Sequence, residues 1–595
     1  MKPILFFLLI ILLNVSFVFA QPIGHITLLA VSEATQIGST ADLYIKTQAG
    51  SGGVYIETFP LTKLDTQLST RFAQQIACDF LEKDCSTIDF FYTIQSDATI
   101  LGGPSAGAAI AAVTVAMLDN LEINESVAIS GTINVGGLIG PVGSLVSKID
   151  AAQKQGMTKV LIPKGSRYEE KPEIIFNELL ENTNASFYVI NNDTNMTEID
   201  LYDYGDIIGV EVKEVGNLQE AVYEITGQWY TADETEIVPP DWYTETMKGV
   251  AVDLCSRNRD FILKYIPTNE TNATLYAELI NITIRAENAS AYEKYYVAAS
   301  TCFGQNIRMN YLILESANFS KNLTLNKVQE INQTIADVEE QLQQEPLDTI
   351  TDLQTYLVVN ERIEEAKETL KELYINLAID LYTDTSYELA YASERLYSAR
   401  AWSTFFDNND KVLELDDNAL RESCIQKRAE AQERFQYIQL IFDQPLQQIT
   451  DDLDEAESQY SQGNYVLCLE IASRAKANLD IMLSLLGVTS EDQLTMLVEE
   501  RLKLVRQVIN KQQTKGYFPM LGYSYYEYAT FLKESDPYSS LIYSHYALEF
   551  SHLDMYFKEK SGYSFFLDTE NLLYLLLGFG MGILFTISLL WKKLR

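Results

Sequence analysis

Ile100-Leu101-Gly102-Gly103-Pro104-Ser105-Ala106-Gly107 runs directly into Ala108-Ala109-Ile110-Ala111-Ala112-Val113. An apolar run, a Gly-Gly-Pro turn and an alanine-rich segment follow one another, which predicts a strand-loop-helix junction with Ser105 at the helix start. Glycines relieve backbone crowding at such a turn. The first N–H groups of a helix have no intrahelical partner, so those of Ser105 and Ala106 are placed to hold an oxyanion. Taken alone, this motif reads better as plain helix capping, a routine duty for serine.

The surrounding sequence continues the alternation of strand and helix. Residues 25–31, 54–57, 90–94, 127–133, 160–163 and 187–190 read as strands, and residues 64–81 as a helix. A second segment stands downstream of the first. It reads Ser130-Gly131-Thr132-Ile133-Asn134-Val135-Gly136-Gly137-Leu138-Ile139-Gly140-Pro141-Val142-Gly143-Ser144-Leu145-Val146-Ser147-Lys148-Ile149-Asp150-Ala151-Ala152. A glycine-rich turn there leads into a short helix that carries Lys148 among Leu145, Ile149, Ala151 and Ala152. Burial among apolar groups lowers an ammonium pKa and frees the amine to accept a proton. Lys154 and Lys159 read as ordinary solvated cations.

Together the two segments resemble the proteolytic domain of Lon proteases, closely over residues 90–195 and loosely over 22–230. The resemblance implies that Ser105 is the nucleophile and Lys148 its base. In the family a threonine at the position of Ser130 hydrogen-bonds the lysine, which implies that role for Ser130. The backbone N–H groups of Ser105 and Ala106 then hold the tetrahedral oxyanion. Two positions depart from the pattern: Gly102 stands where many members carry an acidic residue, and Thr132 where they carry glutamate. Both bear on how the dyad is tuned and how the loop before Ser105 is ordered.

Other chemistries find less support. The three histidines, His25, His545 and His552, lie far from both segments in sequence, so a Ser-His-Asp triad would need a distant recruit. No His/Cys/carboxylate cluster has ligand spacing, and no cofactor or metal is expected. The sequence contains no G-x-x-x-x-G-K-[ST], so the phosphate cradle of the Lon unfolding motor has no counterpart in it. Acidic residues number 83 against 44 basic ones, and the net charge of −39 excludes nucleic acid as a main partner.

After Pro239-Pro240 the pattern changes. Leu325, Val328, Ile331, Ile335, Val338 and Leu342 recur at helical spacing, and residues 240–563 read as all-helical. A weak repeat recurs there as Ala378/Tyr382/Tyr387/Ala390, Ala456/Tyr460/Tyr465/Cys468 and Ala529/Lys533/Tyr538/Leu541, with turns expected at Thr385-Ser386, Gly463-Asn464 and Asp536-Pro537. Small and aromatic residues at these offsets suit paired helices and resemble tetratricopeptide-type units, or equally mark ordinary helix-packing positions.

The two ends read as targeting segments. Residues 1–20 form a signal-peptide pattern, 572–591 an uncharged run long enough for one membrane helix, and 592–595 a basic cytoplasmic tail. This topology places the N-terminus and catalytic domain outside the cell. Asn-X-Ser/Thr acceptors at Asn124, Asn184, Asn192, Asn195, Asn269, Asn272, Asn281, Asn288, Asn318, Asn322 and Asn332 suggest a glycoprotein. Near-neighbour disulfides Cys78-Cys85, Cys255-Cys302 and Cys424-Cys468 are expected in an oxidising compartment, among the several pairings six cysteines allow.

The expected fold class is therefore an α+β Lon-type proteolytic domain at 21–230, an all-α helical, tetratricopeptide-like domain at 240–563, and one C-terminal transmembrane helix. The expected function is an ATP-independent, surface-exposed serine endopeptidase that cleaves unfolded or flexible polypeptides. The alternative is a non-catalytic Lon-like scaffold or binding protein. Expected partners are polypeptide substrates, the membrane through the C-terminal helix and, from the resemblance, further copies of the chain in a homo-oligomer.

Overall fold

The computed structural model describes residues 23–560, except 33–34, 173–187, 192–195, 268–269, 318–320, 379–384, 407–409, 442–445, 487, 489 and 559. Its N-terminal part is built on one mixed sheet. The strands in chain order are β1 Gly24–Val31, β2 Gly38–Ala49, β3 Val54–Thr62, β4 Ile88–Leu101, β5 Val127–Ile129, β6 Thr132–Ile133, β7 Ile139–Gly140, β8 Lys159–Pro163, β9 Tyr168–Pro172, β10 Tyr188–Asn191, β11 Met196–Asp200 and β12 Glu211–Val215. The main sheet has the order β12-β8-β5-β1-β2-β4-β3. From β12 to β1 every neighbour is parallel, β2 pairs antiparallel with β1 and β4, and β3 closes the edge parallel to β4.

Helices cover both faces of that sheet. Helices α1 Leu64–Phe80 and α2 Gly107–Leu118 share a core with Ile26, Leu28, Ile45, Ile129 and Leu161. Helix α3 Leu145–Lys154 packs with the alternate positions Leu29, Ala128, Val160 and Ile162 on the other face. The pleat sends successive side chains to opposite faces, which is why strands buried on both sides read as continuous apolar runs. The described N-terminal part ends with α4 Leu201–Ile208 and α5 Leu218–Thr226.

The rest is helical: α6 Asp241–Lys264, α7 Glu270–Ala291, α8 Tyr295–Ser316, α9 Lys321–Leu342, α10 Ile350–Ala378, α11 Thr385–Trp402, α12 Asp417–Gln439, α13 Gln447–Gln462, α14 Tyr465–Ser484, α15 Glu491–Lys515, α16 Met520–Leu532 and α17 Pro537–Phe550. Gly463-Asn464 and Asp536-Pro537 join packed helix pairs, α13–α14 and α16–α17, whereas Thr385-Ser386 are the first residues of α11. The small or apolar positions Ala390, Ala456, Cys468, Ala529 and Leu541 are completely buried. One apolar core runs on from the sheet into these helices. At Gly136, held at φ 70°, a Cβ would come within 2.8 Å of Val508 and 3.0 Å of Leu548, so the glycine lets the two parts close on each other.

Two parts of the expected fold class are corrected. The N-terminal part is α/β rather than α+β, because its strands and helices alternate around a largely parallel sheet instead of segregating. Among the described residues no helix is long and apolar enough to cross a membrane, so the transmembrane helix does not stand as part of the fold. The stretch 572–591 that suggested it, the tail 592–595 and the signal pattern 1–20 lie outside the described residues.

Several strands depart from the sequence reading. Residues 127–133 form two short strands, β5 and β6, with Ser130-Gly131 at the break. Strand β2, absent from that reading, buries Leu43 and Ile45 with Tyr44 between them, a period-two signal that was present in the sequence.

Candidate active site

The turn before Ser105 is held from outside its own sequence. Gly103 adopts φ 99°, a region open to glycine, and its N–H donates to Asp65 Oδ2 at 2.9 Å. Asp65 lies in the first turn of α1, nearly buried, and its Oδ1 accepts the Thr66 N–H at 2.6 Å. A carboxylate therefore orders this loop although Gly102 supplies none. A 310 turn, Pro104–Ala106, then leads into α2. Ala106 occupies the N-cap position of α2, and neither the turn nor the helix has a side-chain cap. Ser105 is half-buried and caps neither element. The capping explanation thus fails on geometry.

Behind Ser105 stands the break between β5 and β6. The Gly131 N–H donates to Ser105 O at 2.9 Å, and the Ala108 N–H donates to Gly131 O at 3.0 Å. The Ser130 N–H donates to Leu161 O at 3.1 Å and continues the parallel ladder one residue beyond β5. By the pleat, Ser130 falls on the same face as Ala128, the face covered by α3. Its side chain is fully buried, and its Oγ has no hydrogen-bonding partner among the described residues; the same holds for Thr132 Oγ1. Adjacent residues 130 and 131 thus look toward the α3 face and the Ser105 turn respectively.

Lys148 sits on α3, 4% exposed. Burial pulls its pKa from the ordinary 10.5 down to about 8, against an opposing pull from Glu169. Glu169 is itself occupied at the start of the helix, where its Oε2 accepts the Val146 N–H at 2.6 Å. Among the described residues the Lys148 ammonium has no hydrogen bond or ion pair, and none joins it to Ser105. By contrast Lys154 is exposed, and Lys159 pairs with Glu211 at 3.1 Å and Glu224 at 2.9 Å.

The histidines are engaged elsewhere. His25 contacts Asp42 at 3.0 Å and Glu125 at 3.4 Å, His545 bonds Ser484 at 3.1 Å, and His552 lies 3.7 Å from Asp79. The cysteines are joined as Cys78–Cys85, Cys255–Cys302 and Cys424–Cys468. Sequence reading missed Asp65, an acidic residue in the first turn of the helix expected at 64–81, and Glu169, which falls between the strands expected at 160–163 and 187–190 and carried no signal. It also missed two residues of α12, Arg434 and Tyr437, which reach the glycine-rich segment from the helical region.

Residues 74–188, which span Ser105, Ser130 and Lys148, match the family model of the Lon protease (S16) C-terminal proteolytic domain. Lon protease 2 of Bacillus subtilis is 27% identical over 168 residues, which make up 27% of this chain and 26% of that protein. An archaeal Lon protease of Archaeoglobus fulgidus is 32% identical over 111 residues, 17% of this chain and 18% of its own. The Lon protease of Vibrio parahaemolyticus is 33% identical over 135 residues, 22% of this chain and 17% of its own. The chain spans about a quarter or less of the length of these relatives.

Proposed function

We propose that this chain, which carries a Lon-type proteolytic domain, is a serine-type endopeptidase with Ser105 as nucleophile and Lys148 as general base. The observation that carries the reading is the state of Lys148. It is buried, free of any ion pair among the described residues, and pulled to about 8, where a useful share of amine is neutral near physiological pH. The Ser105 oxygen attacks the scissile carbonyl carbon as its proton passes to Lys148 Nζ. The N–H groups of Ser105 and Ala106 take the oxyanion. Collapse breaks the C–N bond, Lys148 returns the proton to the leaving amine, and water then hydrolyses the acyl-enzyme. Ser130, whose hydroxyl has no other partner among the described residues, orients the lysine amine.

Substrates are unfolded or flexible polypeptides cleaved without ATP, because the sequence holds no phosphate-cradle motif to power unfolding. The working compartment is oxidising and outside the cytoplasm. Three disulfides support this reading, since such bonds persist under oxidising conditions and are rare in the cytosol.

The test is cleavage of casein by the purified chain with and without Ser105→Ala, together with covalent labelling by a serine-directed phosphonate. Cleavage that Ser105→Ala abolishes, with label on Ser105 alone, supports the peptidase. A well-folded protein that neither cleaves nor labels would leave the non-catalytic scaffold as the better description.

A further inference from the structure

Ser105 sits in the turn that leads into α2 and Lys148 on α3, and these two helices pack against opposite faces of the sheet. Their relative position therefore depends on whatever holds the segments in front of α2 and α3 together. One helix of the helical region reaches both. On α12, Arg434 Nη2 donates to Asn134 Oδ1 at 2.6 Å and to Ile133 O at 3.4 Å, while Tyr437, three residues on and so on the same side of the helix, accepts the Gly143 N–H at 3.0 Å. The first pair of bonds fixes β6, which follows the Gly131 that is bonded to Ser105. The last bond fixes the turn that enters α3 through Ser144, at φ 58°, four residues before Lys148. Helix α12 also lies directly against the 310 turn of Ser105 and against α1.

The helix is itself rigidly held. Arg434 is 2% exposed and lies 3.1 Å from Asp480 of α14, Lys476 of α14 contacts Asp480 at 3.2 Å and Glu549 of α17 at 3.0 Å, and Cys424 of α12 is bonded to Cys468 of α14. Buried ion pairs contribute little net stability, but breaking one leaves an uncompensated buried charge, which opposes displacement of the helix. A bulky, charged side chain placed under a glycine-rich loop is therefore suited to set register.

We propose that Arg434 and Tyr437 are positioning residues of the peptidase site, setting the nucleophile-bearing turn and the lysine-bearing helix relative to each other. The proposal rests on the Ser105–Lys148 reading. It makes the helical region part of the catalytic apparatus, since a displacement of about 1 Å at a reacting group can lower turnover on the order of a hundredfold.

The full chain tests this with Tyr437→Phe, which deletes one hydroxyl, and with Asn134→Ala, which removes the nearer of the two acceptors of Arg434 while leaving Arg434 beside Asp480. Thermal unfolding checks that each variant is folded; Gln436→Ala, at an exposed position of the same helix, is the control. The expected result is a kcat lowered about tenfold to a hundredfold with KM little changed, phosphonate labelling of Ser105 slowed in parallel, Asn134→Asp restoring most of the rate, and the control unaffected. Folded Tyr437→Phe and Asn134→Ala proteins with wild-type kcat and labelling rate overturn the proposal, provided that Ser105→Ala is dead. Cleavage that survives Ser105→Ala overturns the dyad itself, whatever the α12 variants do.

Discussion

Lys148 carries a cost to folding, and on the proposed reading a use in chemistry. Its folded pKa of about 8 lies below the ordinary 10.5, so the unfolded chain binds its proton more tightly. The penalty is absent above the unfolded value, grows as pH falls from there, and is complete below about 8. Lys148→Met is therefore expected to stabilise the protein by about 1–3 kcal/mol at pH 7, with the gain vanishing above pH 10.5. Denaturant titrations at the two pH values check this. If Lys148 is the base, peptidase activity rises with pH through about 8, since only the neutral amine accepts the serine proton. Lys148→Arg is then as inactive as Ser105→Ala, because guanidinium stays protonated, and the double mutant is little worse than either. A folded Lys148→Arg enzyme with near-normal, Ser105-dependent turnover would refute the base assignment.

At the scale of elements, Asp65 shows how a departure in one segment is offset by another. The loop before Ser105 lacks an acid at Gly102, and the first turn of α1 supplies one through space to the Gly103 N–H. Asp65→Ala is expected to remove about 1–3 kcal/mol of stability and lower kcat about tenfold, while Asp65→Asn, which keeps one acceptor oxygen, is milder. Rates and unfolding midpoints measured together decide it, and an Asp65→Ala protein as active as wild type would show that the loop orders itself. The sheet makes a related point. Residues 127–133 look like one strand because all are apolar or small, but the chain breaks at Ser130-Gly131 to bond Ser105 and Leu161 at once, a tertiary demand with no local signature.

Across the whole molecule the two parts share a core and a buried ionic contact. Burial would raise the pKa of Asp79, on α1, but the cations of the helical region outweigh it and hold the carboxyl well below the usual range. His552, 3.7 Å away, is pushed down to about 4 by burial, so at neutral pH the work falls to Lys511 at 3.0 Å and Lys515 at 2.6 Å. A depressed carboxylate contributes stability that is present above its unfolded pKa near 3.8 and is lost as pH falls below it. Asp79→Asn is expected to cost about 3–5 kcal/mol at pH 7 and to flatten the loss of stability below pH 4. Residues 21–230 expressed alone are expected to aggregate, because α1 and the Gly136 loop would expose what Val508, Leu548 and Lys511 now cover. A soluble fragment with one cooperative unfolding transition would contradict this.

Legible in the residues alone were the nucleophile and base candidates, the Lon-type proteolytic segment, the switch to helices after Pro239-Pro240 and two of the three turns of the helical repeat. Each is written in local spacing: a glycine-rich turn before a helix, a lysine among apolar neighbours, a period of three and four. The parallel order of the sheet emerges in three dimensions alone, as do the carboxylate that orders the Ser105 loop and the reach of Arg434 and Tyr437 to Asn134 and Gly143, the last two being contacts between distant residues. These join residues up to 300 positions apart through single hydrogen bonds. A hydrogen bond of that kind leaves no periodicity in the chain, since its strength depends on where two backbones meet in space and not on what stands beside either partner in sequence.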